Sequence, residues 1–155
     1  MTRSASTLLC AAVMALGTIG CSSASQPSVA AMPSPQFPPT GGAARPFSPF
    51  VKANGFIYLA GQLGTDSTGR LAIGGIKEET RQTMTNIKNI LERNGSSMSK
   101  VVRCLVLLAD IADRQAMSDV YVTFFPADKR PVRTAAGVSG LALNGRVEIE
   151  CIATE

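Results

Sequence analysis

The stretch PVRTAAGVSGLALNGRVEIECIATE, residues 131–155, decides the fold because it predicts two strands of one sheet on either side of a turn at Asn144 and Gly145. Successive side chains of a strand point to opposite faces. Arg133 then lies in a row of small residues, while Glu148 and Glu150 share one face of the second strand. A guanidinium with space around it can bind a carboxylate through two parallel hydrogen bonds. The stretch therefore indicates a pocket for a small acid, and an exposed Arg beside solvated glutamates is the alternative that the pattern leaves open.

The rest of the domain predicts an α+β fold. Residues 50–63 are typical of a hairpin that turns at Asn54 and Gly55, and residues 101–109 are apolar on both faces, as in a central strand. Apolar residues at helical spacing predict one helix over residues 76–91 and another over residues 116–124. Two helices on one face of a mixed sheet is the simplest arrangement of these elements. The other face, which carries either the row of Arg133 or its alternate row, is then uncovered and partly apolar, which predicts oligomerisation with pockets between subunits.

Composition excludes several classes of function. The 155 residues contain neither His nor Trp, so catalysis by a Ser-His or Cys-His pair is excluded. We expect no metal site, because the chain lacks a Cys-x-x-Cys motif and its carboxylates are not clustered as in a calcium loop. It also lacks a phosphate-binding loop and a dinucleotide fingerprint. The net charge of +4 arises from interspersed acidic and basic residues, so we expect no nucleic-acid partner.

The N-terminus predicts export and a lipid anchor. Arg3 precedes a short apolar run at residues 8–19, and Cys21 follows directly after Gly20, so residues 1–20 are predicted to be a lipoprotein signal peptide with Cys21 as the lipidated residue. Ordinary cleavage nearby, with Cys21 lost or left free, is the alternative. Residues 21–44 are mainly Ser, Ala, Pro and Gly without charge, which predicts a flexible tether before a domain at residues 45–155.

These features place the protein on the periplasmic face of the bacterial envelope, attached to the membrane through the lipid on Cys21. Ser22 follows Cys21, and no Asp stands there, which favours the outer membrane over the inner one. Cys104 and Cys151 lie on predicted core strands, and we expect them to be free thiols that pack as small hydrophobes. A disulfide between them is the alternative, and it requires adjacent strands that place the two residues suitably.

Residues 45–155 resemble the RidA family, the YjgF-type reactive-intermediate deaminases. The matching pieces are PFSPFVKANGFIYLAGQL, IKEETRQTMTNIKNILERNGSS, KVVRCLVLLAD, VYVTFF, PVRT and VEIECIA. The resemblance implies a chorismate-mutase-like α+β fold that assembles as a homotrimer with a pocket at each subunit interface. It also implies hydrolysis of 2-imino acids, the tautomers of reactive 2-enamino acids, to 2-keto acids and ammonia, without a cofactor.

The same resemblance assigns roles to particular residues. Arg133, in the PxR motif, would bind the substrate carboxylate, Glu148, the first Glu of the ExE motif, would position water, and the backbone amide of Gly61 would contact the substrate. Several other substrate-binding positions depart from the family pattern: Phe47 replaces a Tyr, Ala60 a Ser, Ser118 an Asn, Thr134 a smaller residue, and Ala135 a Cys. Each lost hydroxyl contact would weaken binding by about 0.5–1.5 kcal/mol, so we expect a slower or retuned enzyme.

Three functions are therefore weighed. The first is an envelope-anchored imine deaminase that acts on a small 2-imino acid. The second is a trimer that binds small carboxylates without significant turnover, and the third is a holdase-like scaffold that uses exposed apolar surface. Function must be argued from the site and not from the fold, so the positions of Arg133 and Glu148 decide among them.

Overall fold

A computed structural model describes residues 34–38 and 46–155 of the protein. The sheet strands are β1 (Phe50–Ala53), β2 (Phe56–Leu59), β3 (Gln62–Leu63), β4 (Val101–Leu108), β5 (Val132–Gly137) and β6 (Val147–Thr154). The helices are α1 (Ile76–Arg93), which follows β3, and α2 (Arg114–Tyr121), which follows β4. The predicted order of elements is confirmed, with the short strand β3 as an addition.

The sheet is mixed, with the strand order β1-β2-β6-β4-β5, and β3 pairs with the other half of β6. All neighbouring strands are antiparallel except β4 and β5, which are parallel and joined by α2. The two strands of residues 131–155 are therefore not partners of each other, because β4 lies between them. As a result β5 is the last strand at its edge of the sheet.

Both helices pack on one face of the sheet, and the core lies between them and the strands. Met84 and Ile87 of α1, Met117 of α2, and Val106 and Ile149 of the central strands are fully buried in this core. The residues of β6 alternate strictly between buried and half-buried, as its period-two pattern predicts. The predicted α+β class with two helices on one face is confirmed. Within residues 34–38 and 46–155, no helix is long and apolar enough to cross a membrane.

The turn between β1 and β2 has the predicted local geometry. Asn54 and Gly55 have φ values of 54° and 78°, the left-handed region that a two-residue hairpin turn requires at both positions. Asn and Gly are the residues that adopt it at least cost. This turn fixes the register in which Ala53 faces Phe56, and so determines which side chains of the hairpin join the core.

The prediction of free thiols at Cys104 and Cys151 is wrong. The two residues are directly opposite each other on β4 and β6, with their Cα atoms 4.2 Å apart, and their sulfurs form a disulfide. Both side chains are buried on the helix-covered face. The bond therefore joins two neighbouring strands from inside the core.

A short part of the predicted tether is ordered against the domain. Gln36 forms an antiparallel bridge with Lys52 on the outer edge of β1, with N···O distances of 2.8 and 2.9 Å in the two directions. The rest of the predicted tether, and the predicted signal peptide with Cys21, lie outside the described residues.

Candidate functional site

Glu148 lies against the backbone of Gly61 on the face of the sheet that neither α1 nor α2 covers. A Cβ atom built on Gly61 would overlap Oε1 of Glu148 and would lie 2.9 Å from its Cδ. Only a glycine allows the carboxylate to lie this close to the main chain. Together with Glu150 and two leucines of β4, these residues line a small cavity of about 60 Å³. The cavity is large enough for water and has carboxylates to hold it.

Two side-chain amides fix the segment that carries Gly61. Gln62 donates through Nε2 to the carbonyl oxygens of Ala60 at 2.9 Å and Gly61 at 3.2 Å. Asn86 of α1 donates through Nδ2 to the carbonyl oxygens of Leu63 at 3.0 Å and Thr65 at 2.9 Å. The backbone beside Glu148 is thus tied to α1, so the position of the carboxylate is set by the core.

Arg133 lies on β5 with its guanidinium against α2. Its Cζ atom is 4.8 Å from the centroid of the Tyr121 ring, within the range of a cation–π contact. No residue in the described part of the chain forms an ion pair or side-chain hydrogen bond with Arg133. The guanidinium therefore has a fixed platform and free N–H donors, which is the state of a cation that can receive an anion.

The environment of Tyr121 is apolar apart from this cation. The ring is only 3% exposed and packs against Phe125 with their centroids 4.8 Å apart. Burial raises the pKa of Tyr121 to about 12, and the positive charge of Arg133 opposes that rise without cancelling it. The phenol is therefore neutral at physiological pH. Its hydroxyl, like that of Ser118 one helical turn earlier, is buried and has no hydrogen-bond partner among the described residues.

Arg133 and Glu148 face opposite sides of the sheet. Arg133 is in register with Cys104 and through it with Cys151, a row that points into the helix-covered core. Glu148 is in register with Leu107, whose row points to the uncovered face. The uncovered face thus carries the alternate row of β5, and a single protomer does not bring the guanidinium and the carboxylate together.

The remaining predicted contact residues lie at three different places in the fold. Ala135 lies two residues beyond Arg133 on the same face of β5 and packs against the core, while Ser118 is on the α2 turn that precedes Tyr121. Phe47 is 59% exposed, ahead of β1. Tyr121 was missed as a site residue, because its place in the apolar stripe of α2 predicts only a core residue.

Chemically, the protomer presents two separate elements. One is a free, oriented guanidinium that can bind a carboxylate, and the other is a carboxylate beside a water-sized cavity that can orient water or accept a proton. In the described residues, no three side chains of His, Cys, Asp or Glu are grouped as a metal site. The two elements would suit hydrolysis of an anionic, already electrophilic substrate only if an assembly brought them together.

Comparison with known proteins gives a consistent result. The family described as Endoribonuclease L-PSP matches residues 40–155. A 2-iminobutanoate/2-iminopropanoate deaminase of Capra hircus is 45% identical over 111 residues, which cover 71% of this chain and 80% of that protein. The chloroplastic Reactive Intermediate Deaminase A of Arabidopsis thaliana is 38% identical over 110 residues, and the match spans 70% of this chain but only 58% of the plant protein.

A solved structure shares the fold. The crystal structure of RidA from an Antarctic Psychrobacter species superposes with a TM-score of 0.68 at 36% identity. The match covers 73% of this chain and 91% of that one.

Proposed function

The chain belongs to the RidA family, described as Endoribonuclease L-PSP, and from this membership we propose that it hydrolyses reactive 2-imino acids to 2-keto acids and ammonia. The imino acids would form as tautomers of 2-enamino acids. The observation that carries the proposal is the free guanidinium of Arg133, held by a buried ring and paired with no described carboxylate. A 2-imino acid supplies the missing anion next to its C=N bond.

The reaction needs little covalent assistance. The carbon of a protonated imine is electrophilic, so water can add to it once Glu148 has oriented the water and accepted a proton. The resulting carbinolamine takes up that proton on its nitrogen and expels ammonia, while its hydroxyl gives a proton back to Glu148 as the C=O bond replaces the C–N bond; Glu148 then releases this proton to the departing ammonia or to water. Positioning of the two reactants is the large contribution, and a proton shuttle adds about 10²–10⁴-fold in rate.

A second copy of the chain would complete the site. Because Arg133 and Glu148 face opposite sides of the sheet, we propose that Arg133 of one protomer meets Glu148 of its neighbour in a homotrimer. Two observations support this arrangement. The uncovered face carries exposed apolar side chains, including Tyr58 at 40% and Val132 at 69%, and β5 is an edge strand that can approach a neighbour.

The test is a deaminase assay with a matched pair of variants. The full-length chain is mixed with 2-imino acids generated in place by an amino-acid oxidase, and the rates of keto-acid and ammonia release are measured across a small substrate panel. Arg133→Ala should abolish the accelerated release, whereas Arg130→Ala, which removes an exposed charge three residues earlier, should not. Full activity of Arg133→Ala would refute the proposal.

The second candidate is a trimer that binds small carboxylates without significant turnover. Phe47 and Ala60 favour it, because each lacks a hydroxyl that the family pattern supplies at the rim of the site. It predicts saturable binding of 2-keto acids, weakened by Arg133→Ala, with no acceleration of imine hydrolysis. Single-stranded RNA is included as a substrate in the same assays, since cleavage of RNA with neither deamination nor 2-keto-acid binding would contradict both candidates.

We further propose that the protein is exported and anchored through a lipid on Cys21. The buried disulfide between Cys104 and Cys151 supports an oxidising compartment, since such bonds are rare in a reducing cytosol. Mass spectrometry of the membrane fraction should find an acylated Cys21, and Cys21→Ser should release the protein into the periplasmic fraction. Unmodified Cys21 in a cytosolic wild-type protein would contradict this proposal.

A further inference from the structure

The position of Arg133 on β5 does not by itself fix the direction in which its guanidinium points. The residue lies on β5 at the edge of the sheet, and an Arg side chain carries about 2 kcal/mol of rotamer entropy that must be lost before its donors point in one direction. Fixing the guanidinium with a permanent carboxylate would use the donors that the substrate needs. The described residues contain no such carboxylate partner for Arg133.

The ring of Tyr121 restricts the guanidinium of Arg133 without occupying its hydrogen-bond donors. The Cζ atom of Arg133 lies over the ring, 4.8 Å from its centroid, and a cation–π contact of this kind acts through the positive charge and occupies none of the N–H donors with a hydrogen bond. The ring is itself held in place by burial and by its contact with Phe125. A rigid surface of α2 thus restricts where the fork of Arg133 can point.

The hydroxyl of Tyr121 plays no part in this contact. It is buried, and no described group accepts from it or donates to it. Ring and hydroxyl can therefore be separated by substitution, because Phe keeps the ring and Leu removes it while remaining apolar. A residue that only fills the core would respond to Leu with a loss of stability and nothing more.

We propose that Tyr121 is a positioning residue whose ring holds the Arg133 guanidinium ready for the substrate carboxylate. The inference rests on the proposed function for the identity of that carboxylate, but the platform can be tested with a non-reacting 2-keto acid. A cation–π contact is worth about 0.5–2 kcal/mol, which corresponds to about 2–30-fold in affinity. The effect should fall on binding, and kcat should change much less, because Tyr121 contacts the residue proposed to bind the carboxylate and not the one proposed to orient water.

The experiment compares the full-length wild type, Tyr121→Phe, Tyr121→Leu and Arg133→Ala. Calorimetric titration with 2-ketobutanoate should give a Kd that is raised about 2–30-fold by Leu and largely restored by Phe, with KM for imino acids following Kd. A side-chain NMR spectrum of Arg-labelled protein, assigned through Arg133→Ala, should show a ring-current shift for Arg133 that Phe keeps and Leu removes.

The outcomes distinguish the proposed role of the Tyr121 ring as a platform for Arg133 from the proposed deaminase activity. If the affinity pattern holds and no variant hydrolyses imines, the platform stands and the deaminase proposal fails. An unchanged Kd in a folded Tyr121→Leu protein would overturn the platform, as would a wild type that binds no 2-keto acid. Should the Leu variant not fold, the wild-type NMR spectrum decides, since an Arg133 without a ring-current shift is not stacked on Tyr121.

Discussion

Removing the disulfide between Cys104 and Cys151 should cost the domain a large part of its stability. The bond joins residues 47 positions apart, and the chain-entropy estimate for closing a loop of that size is about 4 kcal/mol at 25 °C. That corresponds to about a thousandfold in the ratio of folded to unfolded protein. Both residues are at most 1% exposed, so a reductant should reach the bond only when the core opens.

Urea unfolding measures this effect. The oxidised wild type is compared with the double variant Cys104→Ala/Cys151→Ala, each with and without reductant, and at one protein concentration because assembly makes stability depend on concentration. The oxidised wild type should lose stability on reduction, and the double variant should be insensitive to reductant. Equal free energies of unfolding for oxidised wild type and double variant would refute the reasoning, as would peptide mapping that finds the two cysteines unlinked after oxidative refolding.

Three further predictions concern the site and its supports. Gly61→Ala should displace the carboxylate of Glu148 and lower kcat by up to about 10²–10⁴-fold, with little change in the affinity for 2-keto acids. Gly140→Ala is the control, because Gly140 has open space around it, and its kcat should equal that of the wild type. Equal kcat values for the two variants would contradict the geometry. Asn86→Ala leaves two backbone carbonyls without their donor and should cost about 1–3 kcal/mol in urea unfolding, against little for the exposed Asn89→Ala. Burial raises the pKa of Tyr121 from 10.0 in the unfolded chain to about 12 in the folded state, so the phenol ionises at a lower pH when the chain is unfolded. The contribution of Tyr121 to the free energy of unfolding is therefore complete below pH 10 and is lost as the pH rises towards 12. If the free energy of unfolding of Tyr121→Phe falls by the same amount between pH 10 and pH 12, another group is responsible.

The elements that local patterns specify were predictable. The turn at Asn54 and Gly55, the α1 periodicity and the alternation of β6 each depend on residues close in sequence, and the structure has all three. The resemblance to the RidA family, carried by motifs spread over the whole domain, is confirmed by the family match over residues 40–155. The roles given to Arg133 and Glu148 remain predictions.

What escaped prediction depends on how distant segments pair. The link between Cys104 and Cys151 follows from the register of β4 against β6, which no short window of sequence contains. The face occupied by Arg133 is equally hidden, because β5 consists of small residues at a sheet edge and alternates weakly between exposed and half-buried positions. The contact with Tyr121 arises only when α2 folds back over that strand.

The bridge between Gln36 and Lys52 has a practical consequence for anyone who prepares this domain. Composition alone suggests that an expressed domain could begin at residue 45, but that truncation removes Gln36, whose backbone pairs with Lys52 at the outer edge of β1. An unpaired edge strand can pair with a strand of another molecule, so the truncated protein should aggregate more readily during storage. An expressed protein that begins before Ser34 keeps the bridge between Gln36 and Lys52.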